Sequence, residues 1–299
     1  MQGGDQYKLA DLTEKITRKE TWASHTGGFA DVWQGILNNG DSRQTNVAIK
    51  ALRPQAENEK ERKKKNKRLR RELKAWRGLD HPNIVPLLGV ATGFGPYTAM
   101  VCPWMENGTL GSYIESHANL TRQAKYKLLY QAARGLEYLH TIQPSPVIHG
   151  DITASNVLID DQHVARLGDF GLSTILLEQQ SQSNITSALT GAIRYTAPEL
   201  YSNGSNNDDT FRTPKPTKES DIYSFGSIMY QVLSGKIPYH HIRSEPQVLI
   251  ALVGQAKPRH EQSIPDISWQ FITECWKDPA RLRPTATSVV EHVEYNQYA

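Results

Sequence analysis

The fold is decided by residues 149–159, which read HGDITASNVLI, and by the tripeptide Asp169-Phe170-Gly171 that follows them. These two stretches hold two carboxylates, Asp151 and Asp169, and one amide, Asn156. If the three side chains converge, they provide a general base and two oxygen ligands for Mg²⁺, the groups that phosphoryl transfer requires. Each tripeptide alone has chance matches in other proteins, so it is the ordered set that predicts this chemistry.

A cation and a glycine turn lie upstream of this set. The apolar run Val47-Ala48-Ile49 is typical of a strand and ends in Lys50, and Glu72 on the next predicted helix is placed to face Lys50 as an ion pair. Further upstream, Gly27 and Gly28 lie between two strand-like stretches, where exposed backbone N–H groups can bind phosphates. Taken singly, a lysine at a strand end is usually a solvated surface residue, and the two glycines are better interpreted as an ordinary hairpin turn.

Hydrophobic periodicity divides the chain into a smaller sheet-rich part and a larger helical part. Strands are predicted at the short apolar runs Val32-Trp33, Val47-Ala48-Ile49, Ile84-Val85 and Met100-Val101-Cys102. Helices are predicted from about Glu57 to Gly78, from about Thr121, and from Ser220-Asp221. Residues 202–217 are rich in Asn, Asp, Pro and Thr and are predicted to form a loop.

Length and composition limit the class of protein. A chain of 299 residues with 38% apolar residues can bury the core of one large bilobal domain or of two ordinary ones. No apolar stretch approaches the length of a membrane span, and the polar N-terminus has no hydrophobic signal core. Two cysteines, Cys102 and Cys275, are too few for a disulfide framework or a metal cluster. We therefore expect a cytoplasmic protein.

The positive charge of the chain is concentrated in one segment. The formal net charge is only +3, but residues 60–74 hold ten Lys and Arg against two Glu, which leaves about −5 for the remainder. Such a run is typical of a nuclear import signal or a nucleic-acid contact, or else of a solvated helix face. Lys60, Lys64, Lys67 and Arg71 share one helical face, and no aromatic residue alternates with them to stack on bases. The pattern favours the solvated face over nucleic-acid binding and leaves nuclear import open.

From about residue 20 to residue 295, the chain resembles the eukaryotic protein kinases. It is most similar to their tyrosine-kinase-like group, which includes expanded fungal families. The resemblance rests on motifs that come in the family's order: the glycine turn, Val47-Ala48-Ile49-Lys50, Glu72, His81-Pro82-Asn83, His149-Gly150-Asp151 with Asn156, Asp169-Phe170-Gly171, Ala197-Pro198-Glu199, Asp221 and Arg283. Two of these residues have structural roles in the family: Asp221 would hold the backbone of the catalytic loop, and Arg283 would pair with Glu199.

The resemblance implies an α+β bilobal protein-kinase fold. Its N-lobe would be an antiparallel sheet with one long helix, and its C-lobe would be mainly helical. Residues 1–20 would be a lead-in and residues 21–296 the kinase domain, with the N-lobe at about 21–104 and the C-lobe at about 105–296.

The same resemblance implies a role for each site residue. Lys50 would hold the α- and β-phosphates of ATP while paired with Glu72, Asp151 would accept the proton of the substrate hydroxyl, and Asn156 and Asp169 would hold Mg²⁺. The remaining nucleotide contacts would be Gly27, Gly28, Val32, Ala48, Leu158 and the backbone N–H of Met105, with Cys102 guarding the back of the pocket. The implied function is transfer of the γ-phosphate of Mg-ATP to Ser or Thr hydroxyls of a protein substrate.

Several residues depart from the family pattern and keep alternatives open. His25 stands where the family has its first loop glycine, and neither Thr153 nor Ser155 supplies the cation that kinases place after the catalytic Asp. Ala192 replaces a Thr that contacts that cation in serine/threonine kinases. One alternative is a catalytically silent kinase fold that acts as a nucleotide-binding scaffold. A small-molecule kinase such as an aminoglycoside phosphotransferase is disfavoured, because those relatives lack Ala-Pro-Glu and the helix that begins near Asp221.

Overall fold

The computed structural model describes residues 9–26, 30–40, 44–53, 58–169, 192–201 and 215–298. Within these ranges an antiparallel sheet forms the N-lobe and helices form most of the C-lobe, which confirms the predicted bilobal kinase fold. The strands are β1 Ile16–Arg18, β2 His25–Thr26, β3 Ala30–Asn38, β4 Gln44–Leu52, β5 Gly89–Ala91, β6 Ala99–Pro103, β7 Val157–Ile159 and β8 Ala165–Leu167. The α-helices are α1 Glu59–Arg77, α2 Leu110–Ser116, α3 Arg122–Thr141, α4 Lys218–Ser234, α5 Glu245–Val253, α6 Asp266–Cys275 and α7 Ala286–Tyr298.

The N-lobe sheet has the strand order β1-β3-β4-β6-β5, and β2 also pairs with β3. Strand neighbours alternate between the two faces of a sheet, so the buried Val47 and Ile49 of β4 point into the N-lobe core. Ala48 and Lys50 therefore lie on the opposite face.

The register of this sheet places the predicted nucleotide contacts side by side. Val32 of β3 is opposite Lys50 of β4, and Ala48 of β4 is opposite Cys102 of β6. These four residues thus occupy neighbouring positions on three adjacent strands.

The long helix α1 confirms the helix predicted between residues 57 and 78. Its first turn is closed by a capping box, in which Asn58 Oδ1 accepts from Glu61 N at 2.9 Å and Glu61 Oε2 accepts from Asn58 N at 3.1 Å. One side of α1 carries Leu69, Leu73 and Trp76, which are buried in the core. This apolar side fixes which face of the helix points to the sheet.

The strand predicted at Ile84-Val85 is wrong. Pro82 and Pro86 flank this pair, and each removes a backbone N–H from any ladder. The segment instead forms a single bridge from Ile84 to Leu167 of β8, and Val85 N donates to Leu167 O at 2.8 Å. It therefore ties the N-lobe to the C-lobe strand that leads to Asp169.

The chain before residue 20 packs on the sheet. β1 pairs with β3, Leu12 N donates to Val90 O at 2.8 Å, and Val90 N donates to Ala10 O at 2.8 Å. Leu12 is buried there. The described part of the predicted lead-in thus extends the N-lobe.

The C-lobe is built around α4, which is buried on nearly all sides. This helix begins at Lys218, two residues earlier than predicted. Thr217 caps it and forms a capping box with Ser220 in its first turn. It ends at Gly235, whose φ of +74° is a conformation that favours glycine. Residues 202–214 of the predicted loop lie outside the described residues. None of the helices in the described ranges has the length and hydrophobicity of a membrane span.

The helices α6 and α7 meet at a half-buried histidine, His292. The ring of His292 stacks on Phe271 with centroids 3.9 Å apart and planes 7° from parallel. Burial lowers the pKa of His292 to about 4, from an ordinary value of 6.5. The unfolded chain therefore binds a proton at this residue between pH 6.5 and pH 4, whereas the folded chain does not, so the folded state loses stability as the pH falls.

We expect His292→Phe, which keeps an aromatic ring against Phe271, to make the protein less sensitive to acid. Between pH 7 and pH 5 the substitution should remove about 1 kcal/mol of the loss in unfolding free energy. Full linkage would give up to about 1.4 kcal/mol for each pH unit, and the partial exposure of the ring reduces this effect. Urea denaturation at both pH values measures the effect. His117→Phe, at an exposed histidine, is the control, and equal pH slopes for wild type and His292→Phe would contradict the assignment.

Candidate active site

The carboxylate of Asp221 fixes the loop that carries the predicted base. Asp221 is 1% exposed at the start of α4. Its Oδ2 accepts from His149 N at 2.9 Å and its Oδ1 accepts from Gly150 N at 2.8 Å. His140 Nε2 of α3 lies 2.9 Å from the same Oδ2. Gly150 has a φ of +76°, which glycine adopts without strain. The predicted structural role of Asp221 is confirmed.

Asp151 and Asn156 are joined within this loop. Asn156 Nδ2 donates to the backbone oxygen of Asp151 at 2.7 Å and to its Oδ2 at 2.8 Å. Gly168 N donates to Asn156 O at 2.9 Å, so the loop is also tied to the residue before Asp169. Burial raises the pKa of Asp151, and the negative charge of Asp169 adds to this effect. The Asp151 carboxylate is thus oriented by an amide, and its burial makes it a stronger proton acceptor than an exposed aspartate.

A cation from the N-lobe reaches this acidic centre. Lys50 Nζ lies 2.5 Å from Asp169 Oδ2, with both side chains largely shielded from solvent. Asp169 has a φ of +61°, which is uncommon for a residue with a side chain and is found most often at functional sites. β4 and the end of β8 thereby place Lys50, Asp169 and Asp151 around one point between the lobes.

The predicted ion pair between Lys50 and Glu72 is not formed, which corrects the sequence analysis. Lys50 binds Asp169, and Glu72 Oε1 instead accepts from Arg71 Nη2 at 3.1 Å. Glu72 lies at the edge of the buried side of α1 and is about one quarter exposed. The apolar packing of α1 sets the rotation of the helix, and in this arrangement it keeps Glu72 away from Lys50.

The residues predicted to contact adenine come from both lobes. Val32 and Ala48 are half-buried on the N-lobe side, and Leu158 is half-buried on β7 in the C-lobe. Met105 is buried in the connection between the lobes, and among the described backbone groups none accepts from its N–H. Burial raises the pKa of the Cys102 thiol. Cys102 is therefore a neutral side chain beside the Lys50–Asp169 pair.

The glycines of the predicted phosphate loop, Gly27 and Gly28, lie outside the described residues, as do Phe170 and Gly171. The loop residue His25 is described, and its ring lies 6.1 Å from that of Trp104 in the connection between the lobes. The side chain that replaces the first loop glycine thus lies near the connection between the lobes.

The two residues that depart from the serine/threonine pattern have ordinary packing roles. Thr153 is buried, and its carbonyl accepts from Asn156 N at 3.1 Å. The carbonyl of Ala192 accepts from Thr196 Oγ1 at 2.9 Å in a short 3-10 turn. Each position therefore contributes a backbone acceptor to its own turn, and neither side chain carries a charge.

Two buried arginines hold the segment 192–201. Arg283 Nη2 donates to Glu199 Oε2 at 2.9 Å, and Arg283 Nη1 donates to the backbone oxygen of Glu219 at 2.9 Å, which confirms the predicted Arg283–Glu199 pair. Arg194 was not singled out from the sequence. It is 5% exposed and donates to the backbone oxygens of Pro238, Tyr239 and Ile242 and to the side chain of Glu245. An isolated arginine gives no periodic or motif signal that would reveal such a hub.

The donor set around Asp169 fits a divalent cation. Asn156 uses its amide N–H groups on Asp151, so in the described part of the chain its side-chain oxygen is available as a ligand. Carboxylate and amide oxygens are the ligands that Mg²⁺ takes from proteins. The charge of Asp169 disfavours ionisation of Asp151, and a cation between them would relieve this repulsion.

The sequence profile of the family described as protein tyrosine and serine/threonine kinase matches residues 24–293. A receptor-like serine/threonine-protein kinase of Arabidopsis thaliana is 28% identical over 300 residues, which cover 95% of this chain and 78% of the relative. Ephrin type-B receptor 3 of Danio rerio is 31% identical over 90% of this chain and 50% of the receptor. The dual specificity protein kinase splA of Dictyostelium discoideum is 28% identical over 87% of this chain, but only 11% of that protein is covered.

We expect Asp221→Asn to destabilise the protein, because an amide offers one acceptor oxygen where the carboxylate binds two backbone N–H groups and faces His140. Breaking such a buried charged network costs about 3 kcal/mol. Urea denaturation measures the change. Asp161→Asn, at an exposed aspartate, is the matched control and should cost less than about 0.5 kcal/mol. An effect of Asp221→Asn as small as that of the control would contradict the anchoring role.

Proposed function

Because the chain belongs to the protein tyrosine and serine/threonine kinase family, we propose that it transfers the γ-phosphate of ATP, bound with Mg²⁺, to serine or threonine hydroxyls of a protein substrate. The observation that carries this proposal is the position of Asp151. Its carboxylate is oriented by Asn156, lies near Asp169, and sits on a loop held by Asp221. The proposed catalytic domain spans residues 21–296.

Asp151 is the proposed general base. Asn156 binds its Oδ2, and its Oδ1 is the atom that would accept the proton of the substrate hydroxyl. A base works best when its pKa approaches the working pH, and burial raises the pKa of Asp151 in that direction. Asn156 therefore both orients the base and, through its side-chain oxygen, would hold the metal.

The charges of the nucleotide would be balanced by the residues around Asp169. Mg²⁺ held by Asn156 and Asp169 would neutralise the phosphate oxygens. Lys50 would bind the α- and β-phosphates, which requires it to exchange Asp169 for the phosphates and Glu72. Both existing pairs, Lys50 with Asp169 and Glu72 with Arg71, would have to open for this exchange.

The adenine ring would lie between Val32 and Ala48 above and Leu158 below. The N–H of Met105 would donate to it, and the backbone of Gly27 and Gly28 would cover the phosphates. Val32, Ala48 and Leu158 support this placement because their side chains are apolar and half-buried. Val32 also lies directly opposite Lys50 in the sheet.

Serine or threonine is the proposed acceptor because no arginine follows Asp151 at the positions where tyrosine kinases carry one. Thr153 and Ser155 stand at those positions. The Arabidopsis relative is named a serine/threonine-protein kinase and the Dictyostelium relative a dual specificity kinase. Profiling with serine, threonine and tyrosine peptides separates these two specificities for this chain. The comparisons give no support to the alternative of a catalytically silent scaffold.

We expect the wild-type protein to transfer radiolabel from γ-labelled Mg-ATP to itself or to generic protein substrates. Asp151→Asn should lower kcat by about 10²–10⁴-fold, because it removes the base while the nucleotide contacts remain. Asp161→Asn is the control of the same chemistry at an exposed site. If well-folded wild-type protein transfers no phosphate, or if Asp151→Asn transfers as fast as wild type, the proposed function is wrong.

We expect different results from the two neighbours on α1. Glu72→Gln should slow transfer by about 10- to 100-fold, since it removes one charge-assisted contact of about 1.5–3 kcal/mol from Lys50 in the working state. Arg71→Gln should change the rate by less than about fivefold, because an exposed ion pair contributes at most about 1 kcal/mol. Steady-state kinetics on both variants tests this, and equal effects would show that Glu72 has no role beyond its pair with Arg71.

A further inference from the structure

The solvent-facing side of α1 carries an unusual concentration of positive charge. We name as the basic face six of the exposed cations of α1, which share one side of the helix at spacings of three and four residues and are Lys60, Lys63, Lys64, Lys67, Arg71 and Lys74. Two of them have carboxylate partners, since Lys63 pairs with Glu59 and Arg71 with Glu72. Within the described part of the chain, the other four have no carboxylate within ion-pair distance. The basic face is thus mostly uncompensated.

This arrangement is costly for the helix itself. Cations spaced three and four residues apart lie next to each other on a helix and repel, as Lys60 and Lys64 or Lys64 and Lys67 do. A solvated helix face usually mixes both signs of charge, which removes this cost. Here residues 60–74 carry a net charge of +8 while the remainder of the chain carries about −5. A bound anion would remove the repulsion that the fold leaves in place.

The basic face has a fixed length. α1 is anchored at its first turn by the Asn58–Glu61 capping box and along its other side by buried apolar residues. Lys60 and Lys74 are fourteen residues apart, which is about 21 Å along the axis at about 1.5 Å per residue. An extended peptide, at about 3.3 Å per residue, covers this distance with six or seven residues.

We propose that the basic face of α1 docks an acidic segment of a partner protein, rich in Asp, Glu or phosphorylated side chains and about seven residues long. A peptide of this length stays on the basic face. A nucleic acid would extend beyond it over a chain remainder of opposite sign, and the basic face offers no aromatic side chain for stacking. A membrane is disfavoured because the apolar side of α1, formed by Leu69, Leu73 and Trp76, is buried in the core and cannot insert.

The test uses fluorescence anisotropy with labelled oligoglutamates of four, seven and ten residues, without nucleotide, so that the result does not depend on phosphate transfer. Affinity should rise up to about seven residues, change little beyond, and weaken at about 0.15 M salt. Replacing Lys60, Lys64, Lys67 and Lys74 together by Gln should weaken binding of the seven-residue peptide at least about tenfold. Replacing the same four by Arg should leave its Kd within about threefold, because the charge is kept.

The matched control changes the net charge by the same amount at other exposed lysines. Replacing Lys15, Lys19, Lys127 and Lys277 together by Gln should leave the Kd within about threefold. Far-ultraviolet circular dichroism checks that all variants are folded. If the fourfold variant is unfolded, single Gln substitutions at Lys64 and Lys67 are measured instead, and each should give part of the loss in peptide affinity.

Three results would overturn the proposal. Peptide binding that is absent, or equally weakened by both sets of Gln substitutions, would show that the basic face is only solvated. An oligonucleotide that binds at least about tenfold more tightly than the seven-residue peptide through the same four lysines would assign it to nucleic acid. Tighter binding to phosphatidylserine vesicles through these lysines would assign it to a membrane surface.

Discussion

A buried carboxylate must be surrounded by donors, and at Asp221 this requirement shapes the site. The side chain is almost wholly shielded, and its two oxygens accept from the successive backbone N–H groups of His149 and Gly150 and face His140 on α3. Leaving any of these groups unpaired in the core would be expensive, so the loop has little freedom. Asp151 follows directly, and its position is therefore set by a contact deep in the C-lobe. The all-round burial of α4 makes that contact rigid.

The charges between the two lobes are less completely balanced than the charge of Asp221. Asp151 and Asp169 lie close enough that the charge of Asp169 raises the pKa of Asp151, and in the described ranges Lys50 is the cation that touches Asp169. The Lys50 ammonium cannot form a full ion pair with Asp169 and with Glu72 at the same time. Its pair with Asp169 is short and shielded, whereas the pair of Glu72 with Arg71 is mostly exposed and contributes little. The position of α1 is consequently decided by the packing of its apolar side.

The sequence predicts those features that depend on residue type and order. The motifs around Asp151 and Asp169 correctly indicate the fold, and the predicted contacts of Asp221 and of Arg283 with Glu199 are present. Features that depend on the rotation of one element against another are not predicted. Glu72 stands at the right spacing, yet in the folded chain it pairs with its neighbour Arg71 while Lys50 pairs with Asp169.

Local chemistry that overrides the hydrophobic pattern is a second reason why a prediction from the sequence fails. Ile84-Val85 is as apolar as a strand, but the prolines on both sides prevent a ladder. The hydrophobic pattern of α4 starts two residues after the helix itself, because Thr217 and Ser220 stabilise a first turn that carries no apolar stripe. Arg194, which has no signal of its own, is understood only when the carbonyls around it are seen.

The basic face and the site share one residue, Arg71, and its exposure limits how strongly the two can be coupled. A ligand on the basic face would compete with Glu72 for the Arg71 guanidinium. Since an exposed pair contributes at most about 1 kcal/mol, releasing Glu72 in this way shifts its equilibrium toward Lys50 by no more than about fivefold. A larger effect requires the ligand to move α1 as a whole against the packing of Leu69 and Leu73. Docking on α1 and assembly of the Lys50–Glu72 pair are therefore separate events, joined weakly by charge and more strongly only if the helix itself moves.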